Sequence, residues 1–178
     1  MEETRDASAA MQQQPLMRMK VMVAIDDSKE SFVALKWVLD NLYGIAGVVP
    51  EAGMLTMVHV QEPFQQYFFP AGPAFYGGAF TVVESVKKAK EEMATALLAR
   101  ALQMCKDKMV KAETLIVEGD PKDKICELAE EMHIDLLVVG SRGLGKIKRA
   151  FLGSVSDYCA HHAMCPIVIV KPPKEHNK

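Results

Sequence analysis

The chain has 178 residues, of which 49% are apolar and 25% charged, and a formal net charge of −2. That length suits one core with a tail, and the mixture is neither that of a disordered segment nor that of a membrane protein. So small a net charge excludes a whole-molecule pull toward nucleic acid or acidic membranes, and an anion site has to come from a local cluster.

Residues 1–18 carry Glu2, Glu3, Asp6 and the run Gln12-Gln13-Gln14, with no apolar stretch resembling a signal core, and they read as a flexible tail. Lys20–Ile25 is a short apolar run ending in Asp26-Asp27-Ser28, the pattern of a strand buried on both faces that delivers polar groups at its C-terminal end. Phe32, Leu35, Leu39 and Leu42 then share one helical stripe, with Asp27 or Ser28 as N-cap, Glu30 in the first turn and Gly44 beyond the end. Met54–Val60 is a second buried strand, followed by a loop over Gln61–Phe80 that is crowded with Phe, Tyr, Gly and Pro. From Thr81 to Lys108 the positions Val82, Val86, Ala89, Met93, Leu97, Ala101 and Met104 keep the three-to-four spacing of the longest helix. Glu113–Glu118 is a third strand. Asp120-Pro121 opens a helix carrying Ile125, Leu128 and Met132, and Asp135–Gly140 is a fourth strand. Ser154–Ala163 makes a last helix and Pro166–Val170 a fifth strand, stopped by Pro172-Pro173, with a short C-terminal tail over 172–178.

Strands alternating with helices predict one domain over 19–171, an α/β/α sandwich around a parallel sheet whose ligands sit at the strands' C-terminal ends. Asp26, His59-Val60, Gly119-Asp120 and Gly140 all fall on that rim. The segment from Gly140 to Ser156 joins a strand end to a helix start and carries Arg142, Lys146, Lys148 and Arg149, with no acid between Asp135 and Asp157. Gly140, Gly143, Gly145 and Gly153 let main-chain amides approach an anion, and the helix that begins near Ser154 adds orphan amides and about half a positive charge. Ser154 and Ser156 add hydroxyls. The P-loop is excluded because Ile147 stands where its magnesium-binding Ser or Thr would be. The dinucleotide pattern would need glycine at Lys148 and an acid ending the second strand. The first strand also lacks the Ser-Gly-Gly loop of the ATP pyrophosphatases.

The segment does match G-x2-G-x9-G-[ST], as Gly140, Gly143, Gly153 and Ser154. On that motif, on Val23–Ser28, His59-Val60 and Val138–Gly143, and on the closing Cys165–Val170, the chain resembles the ATP-binding universal stress proteins over about residues 18–171. The resemblance implies a Rossmann-like five-stranded sheet in the order 3-2-1-4-5. It further implies a homodimer formed through Val168, Ile169 and Val170, a role in stress response and a cytoplasmic or nucleocytoplasmic location. It implies a site for ATP or AMP, with magnesium or manganese held through the phosphates. Asp26 would accept from the ribose or the adenine edge, and Ala24, Ile25 and Val60 would wall the base. Gly140, Arg142, Gly143 and Gly145 would pass under ribose and phosphates, and Gly153, Ser154, Val155 and Ser156 would face the phosphates.

Binding is better supported by the residues than turnover, because the loop shows neither a carboxylate pair nor a metal box. Slow metal-assisted ATP hydrolysis and a nucleotide-independent chaperone or scaffold are the alternatives. For the latter, the seven aromatics of Phe64–Phe80 would meet a protein partner whose identity the sequence does not reveal, or else form a lid over the base. His59, His161 and His162 read as structural, and the four cysteines, which include no Cys-x-x-Cys pair, as reduced structural thiols. No stretch approaches the ~18 apolar residues of a membrane span.

Overall fold

The computed structural model describes residues 19–44, 53–63, 76–143 and 152–173, with side chains from 83 onward in the longest helix. The strands are β1 (Val21–Ala24), β2 (Leu55–Gln61), β3 (Ala112–Glu118), β4 (Leu136–Gly140) and β5 (Ile167–Val170). The helices are α1 (Lys29–Asn41), α2 (Tyr76–Asp107), α3 (Pro121–Glu131) and α4 (Ser154–His162). All strand pairs are parallel, and the sheet order is β3-β2-β1-β4-β5, as the family resemblance implies. The order reverses between β1 and β4, so the crevice for a ligand opens above that pair.

The two-residue period of the strands sorts their side chains into two cores. Val21, Val23, Leu55, Met57 and Val138 pack with α1 and α2 on one face. Met22, Val58, Leu137 and Val139 pack with α3 and α4 on the other. Burying each such side chain contributes about 1.5–3 kcal/mol before conformational entropy is subtracted. β1 and β4 are covered on both faces, which is why their sequences show apolar runs rather than alternation. Edge strand β3 alternates instead and leaves Ile116 44% exposed.

Local chemistry sets the helix ends. The Ser28 side chain accepts from the Ser31 amide at 3.2 Å and so is the N-cap of α1, while Asp120 accepts from Lys122 and caps α3 ahead of Pro121. α2 and α3 both end in a left-handed residue that is not glycine, Met109 (φ 56°) and His133 (φ 52°). In each case the next amide reaches back five residues, Val110 to Cys105 and Ile134 to Ala129, both at 2.9 Å. α2 starts at Tyr76 rather than Thr81, so the last five residues of the expected loop are helical. Gly77 and Gly78 lower helix propensity by about 1 kcal/mol each without forbidding helix, and they leave no side chain to mark a face.

Candidate functional site: a cleft at the carboxyl rim of the sheet

A cleft of about 980 Å³ opens over the C-terminal ends of β1, β2 and β4. Its lining includes Ala24, Ile25, Asp26, Val60, Gly140, Arg142, Gly143, Gly153, Ser154, Val155 and Ser156. The structure thus brings every described residue of the sequence-derived site to one surface. Gly145, Lys146, Lys148 and Arg149 lie outside the described residues, as do residues 64–75 of the aromatic segment.

β1 delivers Asp26 in a fixed pose. The Ile25 amide donates to the Val58 carbonyl at 2.8 Å, extending the β1–β2 ladder one residue past the strand. The Asp26 carbonyl accepts from the Ser31 hydroxyl at 2.7 Å. Oδ1 of Asp26 accepts from the Ser28 amide at 3.1 Å and from the Ser28 hydroxyl. Oδ2 turns instead toward Gly143, where an added Cβ would come within 2.6 Å of it. Gly143 is therefore a glycine because the carboxylate stands against its Cα. One oxygen of Asp26 is anchored by α1, and the other faces the loop.

Gly140 has a second duty that sequence spacing did not reveal. A Cβ there would meet backbone atoms of Glu30 at 2.8 and 2.9 Å and the Ser31 amide nitrogen at 3.0 Å. Its bare Cα lets the first turn of α1 lie on the end of β4, besides lining the cleft.

The loop that leaves β4 is clasped at its base. The Ser141 amide donates to the Val170 carbonyl at 2.8 Å, and the Gly153 amide donates to the Ser141 carbonyl at 2.8 Å. The Ser156 hydroxyl, in a residue only 2% exposed, lies 3.1 Å from that same carbonyl and 3.0 Å from the Gly153 carbonyl. Its proton is held by the clasp, so Ser154, which is exposed, is the hydroxyl open to a ligand. Gly153 occupies the N-cap of α4 and no side chain caps that helix. The orphan amides of its first turn, with the dipole behind them, make an anion-binding end at the cleft wall.

The ring of His59 points its Nδ1 at the Ile25 carbonyl, 2.8 Å away. A carbonyl can only accept, so Nδ1 carries the hydrogen and the ring braces β2 against the end of β1. His161 and His162 bond through Nδ1 to backbone carbonyls of Asp157 and Tyr158, and His162 stacks on Tyr158. Among the described residues, no cluster of three or more His, Cys, Asp or Glu could hold a metal ion. The cleft also takes in Pro121 and Ile125 of α3 and Lys90 and Arg100 of α2, which the sequence analysis did not assign. Asp120-Pro121 at the end of β3 was a usable signal for the α3 pair, whereas nothing in the heptad-like pattern of α2 distinguishes its lining face.

A family model described as the universal stress protein family matches residues 17–171. The Synechocystis universal stress protein Sll1388 is 33% identical over 156 residues, 85% of this chain and 97% of that one. The Arabidopsis thaliana universal stress protein PHOS34 is 29% identical over 167 residues, 89% of this chain but only 64% of that longer protein. A universal stress protein A-like protein from the same plant is 44% identical over 75 residues, 42% of this chain and 43% of that one, so the chain spans under two thirds of these Arabidopsis relatives. Among solved structures, an Arabidopsis universal stress protein family member with AMP bound superposes with a TM-score of 0.60 at 27% identity, covering 90% of this chain and 95% of that one. A universal stress protein in complex with cAMP gives 0.56 at 25% identity, covering 85% and 95%. No described helix is long and apolar enough to cross a membrane. With the motif, the sheet order and the family model in agreement over nearly the whole chain, the protein belongs to the universal stress protein family.

Proposed function

We propose that the cleft binds an adenine nucleotide, ATP or AMP, and that the protein acts as a nucleotide-dependent regulator of the stress response. The observation that carries this reading is the meeting of Asp26 Oδ2, Gly143 and the uncapped end of α4 on one wall. A carboxylate oxygen is an acceptor matched to ribose hydroxyls. The backbone amides at the start of α4 and the exposed Ser154 hydroxyl, which line the same cleft, are donors matched to phosphate. Ala24, Ile25 and Val60 supply the apolar wall that a base requires. The relatives solved with AMP and cAMP add support.

In this reading Asp26 fixes the sugar. Gly143 and Gly153 let the loop close on the phosphates, Gly140 and Arg142 line its floor, and Ser154 and the amides of Val155 and Ser156 hold the phosphate oxygens. Gly145 completes the run. A magnesium or manganese ion, where present, is held through the phosphates and Ser154. Two copies pair along β5, in the cytoplasm or nucleus, and nucleotide occupancy changes the surface the dimer presents.

Calorimetry with ATP and AMP, with and without magnesium, tests the reading against Asp26→Asn. Asparagine retains an oxygen for the Ser28 anchor but replaces the acceptor facing Gly143 with a donor. We expect a saturable heat from the parent chain and at least a tenfold weaker affinity in the variant. Absence of any heat at millimolar nucleotide, or equal affinities, refutes it.

A further inference from the structure

Three of the four cysteines gather on the α3–α4 face of the sheet. Cys126 of α3, Cys159 of α4 and Cys165, which precedes β5, belong to one apolar cluster, while Cys105 lies on the opposite face against Met57. The Cys126 thiol points at the Cys159 sulfur across 3.8 Å, and no disulfide joins them. Cys159 is fully buried, whereas Cys126 is half-buried. A disulfide requires sulfurs about 2.05 Å apart, so the pair must close by roughly 1.8 Å.

We propose that Cys126 and Cys159 are a redox modification site, converted by a hydroperoxide into a disulfide that ties α3 to α4 behind the cleft. The Cys126 sulfur, in the less buried residue of the pair, attacks one oxygen of hydrogen peroxide. The O–O bond breaks, the departing oxygen takes up the thiol proton and leaves as water, and Cys126 becomes a sulfenic acid. The Cys159 sulfur then attacks the Cys126 sulfur. The S–O bond breaks, and the departing hydroxyl takes the Cys159 proton as a second water. Two thiols and one peroxide become one disulfide and two waters, with two electrons passing from sulfur to oxygen.

Burial raises both thiols above their ordinary range. Thiolate is therefore scarce near neutrality, and the site responds to sustained rather than passing oxidation. The position of the bond gives it reach. Cys159 sits one turn behind Val155 and Ser156, and Cys126 follows Ile125, all three of which line the cleft. This consequence rests on the nucleotide reading, but the disulfide itself does not.

The test is thiol counting by alkylation and intact mass on the full chain after reduction, then exposure to a slight excess of hydrogen peroxide in mildly alkaline buffer. We expect two of the four thiols to disappear with the loss of two hydrogens and to return with dithiothreitol. Trypsin leaves Cys159 and Cys165 in one peptide, 150–174. The partner is therefore assigned with Cys165→Ser, which should keep the crosslink, and with Cys159→Ser, which should lose it and leave a dimedone-reactive Cys126. Four persistent thiols, oxygen addition to the parent chain without a crosslink, or a crosslink that survives Cys159→Ser overturns the proposal. The first measurement needs no variant, so misfolding of a substituted chain does not remove the test. A crosslink formed by protein that gives no heat with nucleotide would sink the nucleotide reading and leave this one standing.

Discussion

Gly140 shows how one missing methyl group serves two purposes. Because its Cα carries the first turn of α1, a substitution intended to disturb ligand contacts also disturbs the fold. Gly140→Ala should cost about 1–3 kcal/mol of stability, the usual range for forcing an extra carbon against fixed backbone. Urea titration measures this, and an unchanged midpoint would show that the contact yields freely. Met109 offers the opposite case. It holds a left-handed φ of 56° with its side chain 93% exposed, so it has strain to lose and little packing. Met109→Gly should stabilise the chain by about 0.5–1 kcal/mol, the left-handed penalty less the extra freedom glycine gives the unfolded state. A fall in melting temperature would mean that the exposed thioether makes a contact worth more than the strain.

Among elements, α4 gathers the most roles: its first turn faces the cleft, and Cys159 one turn later is sealed against α3. Burial pushes the Cys159 thiol up from 9.0 to about 12. Above pH 9 the unfolded chain therefore releases a proton that the folded chain keeps. Stability from this group is complete below the unfolded value and falls by about 1.4 kcal/mol per pH unit until the folded value is reached. Cys105, raised to about 11, and Tyr43, raised to about 12, act in the same direction. Chemical unfolding across pH 8.5–11 should give a steep decline that is shallower in Cys159→Ala by about that slope. Parallel declines would place the linkage elsewhere. The nine elements among the described residues were legible in the sequence because buried runs and helical stripes are local signals. The extra turns of α2 were not, since Gly77 and Gly78 mark no face. The gathering of Asp26 and Gly140 at strand ends with Gly143 and Gly153 of the loop between β4 and α4 was also legible. The second duty of Gly140 and the capture of the Ser156 hydroxyl were hidden, because each depends on a partner that only the folded backbone supplies: α1 for the first, the Ser141 carbonyl for the second.

For the whole molecule, the proposed pairing of two copies rests on the open edge of β5. The Pro166 and Val170 carbonyls accept from Leu137 and Ser141 of the β4 side, so by strand alternation the backbone groups of Ile167 and Ile169 face the open edge. Val170 is buried at 7% exposure, leaving Ile167, Val168 and Ile169 as the half-buried apolar residues of that strand. Ile169→Pro removes an outward amide without touching the β4 ladder. If copies pair along this edge as proposed, sedimentation should shift from dimer to monomer while circular dichroism stays unchanged. A dimer that persists in the variant would move the interface to another surface.

The clasp between Ser141 and Gly153 has a consequence for how such a protein can diversify. Its two ends are pinned to each other and to β5 by bonds that need no residue of 144–151. The mouth of the loop is therefore set by the scaffold itself, and the clasp makes no demand on the charge of what it spans, which is the freedom that a relative suited to a different anion would need.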